Sequence, residues 1–461
     1  MLKRAYESDE SQFVAIYGRR RVGKTFLVRE VFAGRFAFEL TGLANTKTRG
    51  QLRNFQLSLR NAGMAHVPRP ADWLEAFDLL SHFLDACSAK KKVVFIDELP
   101  WMDAPRSGFL AAFEHFWNAW ASSRNDVLLI VCGSATSWII SNIVNNHGGL
   151  HNRVTAEIAL RPFSLGECRD YAQAMRLEMT DHQLLECYMI MGGVPYYWSK
   201  LRRESSLAQN VDWLFFAHDG LLRGEYHALY ASLFRHPDHY MKVIEALSAK
   251  RSGMTRNELV DAAKLKNNGL LTRVLADLEY CGFIRRYSYY ALARNGTIYQ
   301  LIDNFTLFYY QFMAPNTRND EHFWSNSIDS PRHRVWTGLA FERVCLQHVR
   351  QIKRALGVEG VVSVECAWQY RGQAGTPGTQ IDLLIDRNDG IINLCEMKFA
   401  QDEVELDLDA HRNLMYKKTR FIQETGTRSA VHLTLVTVNG VKRNQYSDDI
   451  QVILKASDLF S

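Results

Sequence analysis

Long apolar runs are missing from this chain of 461 residues. None reaches the roughly 18–20 residues that a membrane-crossing helix needs, which excludes a bundle of apolar spanning helices. The eight cysteines are scattered, with no Cys-x-x-Cys pair and no Cys/His grouping at zinc spacing. That excludes a zinc finger and a disulfide framework and leaves reduced thiols as the expectation. Internal repeats and low-complexity tracts are absent, and the composition excludes a disordered, collagen-like or coiled-coil chain. The stretch Met1–Glu7 has no apolar h-region, so no secretory signal is expected and the cytoplasm is the expected compartment. Charge of one sign is not in excess: 55 Lys plus Arg stand against 50 Asp plus Glu, a net charge of +5. This mild basicity permits nucleic-acid contact without demanding it.

What is present is an ordinary globular mix, 47% apolar and 23% charged, at a length that allows about three domains. The first part of the chain alternates apolar strands with longer helical stretches, the pattern of a parallel α/β domain. Strands are expected at Gln12–Tyr17, Phe36–Leu40, Val93–Ile96 and Val127–Cys132. A helix is expected over 71–89, from the spacing of Trp73, Phe77, Leu80, Phe83 and Leu84, and another around Phe109, Phe113, Phe116, Trp117 and Trp120. Residues 164–217 read as helical, broken at Gly192-Gly193-Val194-Pro195. From His239 to Asp303 the pattern is three short helices, Tyr240–Lys250, Thr255–Ala262 and Gly269–Tyr280, and a hairpin of strands Phe283–Tyr290 and Thr297–Ile302 turning at Asn295-Gly296, with Thr255 and Glu258 spaced as a capping box. The polar stretch 315–332 reads as a linker, and 333–461 opens with a helix and then alternates strands and helices. The expected division is 1–163, 164–230, 231–314, the linker and 333–461.

The segment Gly18-Arg19-Arg20-Arg21-Val22-Gly23-Lys24-Thr25 fits GxxxxGK[ST] between an apolar strand and the helix-forming run Phe26–Phe32. Gly18 and Gly23 let the backbone curl so that its N–H groups face phosphate oxygens. Lys24 places a point charge on the terminal phosphates, and Thr25 offers a hydroxyl to Mg²⁺. The helix that starts here directs its positive end at the anion. The strand Val93–Ile96 then runs into Asp97-Glu98. A carboxylate at that strand end holds the Mg²⁺ water shell, and its neighbour Glu98 can serve as general base. Ser134, after the strand 128–132, is either a polar sensor beside the terminal phosphate or the N-cap of the next helix. Arg153 is a candidate arginine finger.

In the last part, Asp382 on the strand Gln380–Asp386 and Glu396 on the strand Ile391–Lys398 can meet at one end of a hairpin and bind a divalent metal. Lys398 shares a face with Glu396, because strand side chains alternate, and Glu342 can reach the set from the helix Thr337–Val349. This arrangement resembles the core of PD-(D/E)xK nucleases, with Glu342, Asp382, Glu396 and Lys398 at the matching positions.

The loop Ile16–Thr25, the Phe95-Ile96-Asp97-Glu98 box and Gly192-Gly193-Val194-Pro195-Tyr196-Tyr197 together resemble archaeal and bacterial ATPases of the AAA+/STAND lineage. Those ATPases carry a C-terminal domain related to PD-(D/E)xK nucleases. The resemblance implies that Gly193-Val194-Pro195 belongs to a helical lid, with Pro195 near the adenine. It also implies that residues 239–303 form a winged helix. In that module Asn267, Asn268, Thr272 and Arg273 would face the major groove, with Lys264 and Lys266 just before them and Arg285, Arg286 and Arg294 on the wing. Relatives carry a Gly-Arg-Glu segment upstream of the loop. This chain begins too late to contain it, so either a truncated or misassigned start or weaker adenine binding is expected.

The expectation is therefore an α/β P-loop NTPase sheet with a helical lid, then a winged helix-turn-helix, then an α/β restriction-endonuclease-like domain. Gly18 to Phe26 and Pro195 would hold ATP, and Thr25 and Asp97 would hold Mg²⁺. Asp382 and Glu396 would hold a second divalent metal, Mg²⁺ or Mn²⁺. ATP hydrolysis would be coupled to DNA binding or cleavage, with a homo-oligomer as the expected assembly. The competing expectation is an ATP-gated protein-interaction switch with an inert C-terminal domain.

Overall fold

In the computed structural model, which describes residues 1–146, 148–234, 236–290, 297–373 and 375–461, the chain divides into two units, Met1–Arg161 and Pro162–Ser461. The Asn295-Gly296 turn and Arg294 lie outside the described residues.

The first unit is built on β1 (Gln12–Tyr17), β2 (Phe36–Thr41), β3 (Lys92–Asp97), β4 (Val127–Gly133) and β5 (Ala156–Ala159), in the order β2-β3-β4-β1-β5. Every neighbouring pair is parallel. β3 and β4 are buried at every position, as strands covered on both faces must be. The alternation of strand side chains sends Phe13, Ala15, Val94, Ile96, Leu129 and Val131 into one core and Val14, Ile16, Val93, Phe95, Leu128 and Ile130 into the other. Helix α1 (Lys24–Val31) closes the second face with Val28. Helices α2 (Thr48–Asn61), α3 (Trp73–Asp85) and α4 (Phe109–His115) close the first through Phe55, Trp73, Phe77 and Phe109. α3 starts two residues inside the expected stretch because Asp72 caps it, its carboxylate accepting from the Glu75 N–H at 3.0 Å.

The second unit opens with α5 (Leu165–Ala174) and α6 (Asp181–Met191). α6 is buried from Leu184 to Met191 apart from Glu186, as an apolar helix inside a core is. α7 (Glu225–Leu233) follows, then α8 (Pro237–Ser248), β6 (Met254–Thr255), α9 (Arg256–Ala263), α10 (Gly269–Tyr280), β7 (Ile284–Ser288) and β8 (Thr297–Leu301). The three strands form an antiparallel sheet in the order β6-β8-β7. Thr255 and Glu258 close the reciprocal capping box on α9. The strand read as Phe283–Tyr290 is shorter at both ends: Phe283 N–H closes onto Leu278 O, and Tyr290 N–H donates to Ala367 O at 2.8 Å.

The polar stretch expected as a linker is pinned down. Trp324 is fully buried, with its ring 5.0 Å from Phe312 and 5.4 Å from Trp336. The Trp324 N–H donates at 2.9 Å to the buried Asp212 carboxylate. One large aromatic residue outweighs a run of polar neighbours.

The last part holds α11 (Pro331–Gln347), β9 (Ser363–Tyr370), β10 (Thr379–Arg387), β11 (Ile391–Lys398), α12 (Leu408–Thr425), β12 (Ala430–Thr437) and β13 (Val452–Lys455). α11 begins earlier than the expected Thr337, because Ser330 accepts from the His333 N–H and Pro331 fits the first turn. The sheet runs β13-β12-β11-β10-β9. β9, β10 and β11 are antiparallel to one another in turn, and β11, β12 and β13 are parallel. Among the described residues no helix is long and apolar enough to cross a membrane.

Candidate nucleotide site and C-terminal acidic cleft

The loop after β1 curls through three left-handed positions, Gly18, Arg21 and Gly23, with φ of 147°, 71° and 91°. A methyl group at Gly18 would collide with the Leu160 carbonyl, so the end of β5 dictates glycine there. Lys24 is buried, and its ammonium donates to Gly18 O at 2.9 Å, Arg19 O at 3.0 Å and Ser134 Oγ at 3.3 Å. The Ser134 hydroxyl donates on to Glu98 Oε1 at 2.6 Å, while its backbone N–H donates to Glu98 Oε2 at 3.1 Å. Thr25 Oγ1 donates to Asp97 Oδ2 at 2.7 Å.

β3 and β4 lie side by side, which brings the acid pair and Ser134 together with Lys24 from the start of α1. Of the two sequence readings for Ser134, the N-cap is not the one taken. Ala135 stands at the N-cap of the following helical turn and makes no side-chain capping bond. Glu98 itself has left-handed backbone, φ 48° and ψ 45°, a conformation that costs energy in a non-glycine residue.

Sequence reasoning missed Cys132. Its thiol donates to Asp97 Oδ1 at 2.6 Å, and burial, then the Asp97 charge, push its pKa well above the ordinary thiol value. It therefore acts as a neutral donor that fixes the Asp97 carboxylate. A buried strand cysteine carries no such signal in sequence. Phe26 is 70% exposed on α1, and Arg19 is buried. Arg20 and Arg153 are exposed, Arg153 on the turn ahead of β5 and outside the bonded Lys24–Ser134–Glu98 set. Pro195 is the first residue of a short helix in the second unit, after Gly193, whose carbonyl accepts from Phe163 N–H at 2.7 Å.

These residues fit a nucleoside triphosphate with Mg²⁺. A threonine hydroxyl already paired to a strand-end carboxylate, beside a lysine at a helix start, is the donor set such a complex takes. A parallel sheet in this order, a glycine loop after β1 and two carboxylates at the end of β3 define a P-loop ATPase domain. Residues 1–201 match the family model of an ATPase domain found predominantly in Archaea. An uncharacterized protein of Methanocaldococcus jannaschii is 23% identical over 438 residues, covering 91% of this chain and 90% of its own length. Among solved structures, a Walker-type ATPase of Pyrococcus abyssi aligns over 66% of this chain and 92% of its own, at 16% identity and a TM-score of 0.45. The ORC2 protein of Aeropyrum pernix aligns over 76% and 92%, at 13% identity and a TM-score of 0.41.

In the second unit the predicted acidic set is only partly assembled. Leu383 pairs with Cys395, so Asp382 and Glu396 are the next residues along the β10–β11 hairpin. Glu342 and Lys398 line one cleft of about 640 Å³, together with Arg251 and Glu405. Each acid is already bonded, however: Glu342 Oε1 to Arg343 Nη1 at 2.8 Å, Glu396 Oε2 to Lys417 Nζ at 2.7 Å, and Asp382 Oδ1 to Gln380 Nε2 at 2.5 Å. Burial first, and then the Asp382 charge, push the Glu342 pKa upward against the pull of Arg343, Arg285 and Arg251.

Among the described residues no group of three or more Asp, Glu, His or Cys side chains is arranged to hold a metal ion. The expected metal pair Asp382 and Glu396 therefore gains no third acidic, His or Cys partner placed to share a metal ion among the described residues. The physical reason is that cationic side chains from α11 and α12 already answer the charge of Glu342 and Glu396. Sequence reasoning missed Arg343 and Lys417, since neither helical residue has a fixed spacing to the hairpin.

Proposed function

We propose that this chain is an ATP-driven switch. The first unit hydrolyses ATP, and nucleotide state controls DNA engagement by the second unit. There residues 231–314 act as a winged helix, and residues 333–461 act as a nuclease-like domain. One observation carries the catalytic half: Lys24, Ser134 and Glu98 form a continuous hydrogen-bonded chain beside the Thr25–Asp97 pair.

In this reading the loop amides from Gly18 to Thr25 and the start of α1 hold the phosphates. Lys24 offsets their terminal charge. Thr25, braced by Asp97, holds Mg²⁺, which when bound neutralises phosphate oxygens. Glu98 accepts a proton from the attacking water, and Ser134 holds its carboxylate in position. Arg153 supplies the finger, and exposed Phe26 meets the base. The helix order α8-α9-α10 followed by β7 and β8 supports the winged-helix reading, and the hairpin bearing Asp382, Glu396 and Lys398 supports the nuclease-like one.

Lys24→Ala is expected to abolish nucleotide binding in a fluorescent-ATP titration. Glu98→Gln is expected to keep binding and slow turnover about 10²–10⁴-fold, the usual contribution of a general base. Binding without Mg²⁺-dependent phosphate release in the wild-type protein would refute the reading. The ion pairs on Glu342 and Glu396 favour a second reading, an ATP-gated protein-interaction switch with an inert C-terminal domain. ATP turnover that rises on adding DNA would decide for the first.

A further inference from the structure

Arg285, expected on a wing that touches a nucleic-acid backbone, is bonded inward. It faces Gln300 across the β7–β8 pair, and its Nε donates to Gln300 Oε1 at 2.6 Å. Gln300, which is 2% exposed, donates from Nε2 to Arg251 O at 2.7 Å. The same carbonyl accepts from Arg343 Nη2 at 2.6 Å, and Arg343 Nη1 holds Glu342 at 2.8 Å. A part-buried chain of hydrogen bonds thus runs from the wing strands to the acid on α11.

A second contact fixes the wing in place. The end of β7 docks against β9, the edge strand of the C-terminal sheet: Tyr290 N–H donates to Ala367 O at 2.8 Å and Tyr289 OH to Gln369 Oε1 at 3.1 Å. Tyr287, Ile298 and Ala367 pack into a small apolar cluster beneath it. This contact covers the edge strand at Ala367. Arg285 is half-buried, and burial, then Arg343, push its pKa down to about 10.

We propose that the β7–β8 wing is an inhibitory latch: through Gln300 and Arg343 it keeps the Glu342 carboxylate charge-compensated, and a divalent cation reaches Glu342 with Asp382 and Glu396 only when the wing leaves β9. This rests on the nuclease-like reading of the C-terminal sheet and names its regulation. The latch gates cation entry by competition, because Arg343 and an incoming metal need the same Glu342 oxygen.

Titration of the nucleotide-free full chain with Mn²⁺, with free Mn²⁺ read by electron paramagnetic resonance, tests it. Gln300→Met breaks the relay at a buried position of similar volume without touching an acid, and circular dichroism checks its fold. Asp382→Asn in each background isolates binding at this acidic set. The expected result is Asp382-dependent Mn²⁺ binding that is about tenfold to a hundredfold tighter in Gln300→Met than in the wild-type chain, the range set by losing a buried hydrogen bond to a charged group. Equal Asp382-dependent binding in the two proteins overturns the latch and leaves the metal-site reading standing. No Asp382-dependent binding in either overturns both.

Discussion

Single residues decide the chemistry and part of the stability of the first unit. Asp126 accepts from Lys92 Nζ at 2.5 Å and from Arg124 Nε at 2.8 Å, and the Lys92 side chain is only 6% exposed. Hydrogen bonds from Arg124, with further help from Lys92, hold the Asp126 carboxyl well below its ordinary range against the opposing cost of burial. A depressed folded-state pKa stabilises the fold above the unfolded value near pH ~4 and loses that contribution as pH falls toward the folded value. Asp126→Asn is therefore expected to cost about 2 kcal/mol at pH 7, by leaving Lys92 without its carboxylate, and to cost progressively less below about pH 4. Urea unfolding at pH 7 and pH 3 measures both. At this scale the nucleotide loop was legible in sequence, because GxxxxGK[ST] encodes backbone shape as well as chemistry. The Cys132 thiol on Asp97 and the Lys417 ammonium on Glu396 were not, since each depends on a partner far along the chain.

Elements were read well where a local rule fixes them. The strand Gln12–Tyr17 and the helix Gly269–Tyr280 have the expected bounds, and the box at Thr255 closes as its spacing requires. Errors came where a distant partner intervened. The Tyr290 N–H leaves its own hairpin for Ala367, and Trp324 turns a polar stretch into part of a core. The capping box allows a quantitative check. Thr255 Oγ1 accepts from the Glu258 N–H at 3.3 Å, and the Glu258 carboxylate also holds the Thr255 N–H and Lys250. Thr255→Ala is expected to lower stability by about 1 kcal/mol, the usual cost of losing an N-cap, as read from the shift in the denaturation midpoint. A larger loss would mean that the cap also holds β6, of which Thr255 is part.

At the scale of the whole molecule, the parallel sheet of the first unit followed from alternating strands and helices, while its strand order is set by which strand pairs with β1 on each side. No local pattern carries that information. Ligand linkage gives the matching test. With Mg²⁺ and ATP at about 100 times the dissociation constant, binding to the folded state alone adds about 2.7 kcal/mol. The expected outcome is a melting temperature several degrees higher in scanning calorimetry, lost in Lys24→Ala. A shift that survives Lys24→Ala would place the nucleotide elsewhere.

The left-handed backbone at Glu98 reaches beyond the turn it makes. Glycine would adopt this torsion without cost, whereas a β-branched side chain would resist it. A Val or Thr replacement at 98 would therefore confound two losses, the carboxylate and the turn. Glutamine keeps the shape and strain of the native side chain and removes only its basicity, so it is the replacement whose inactivity speaks about proton transfer alone.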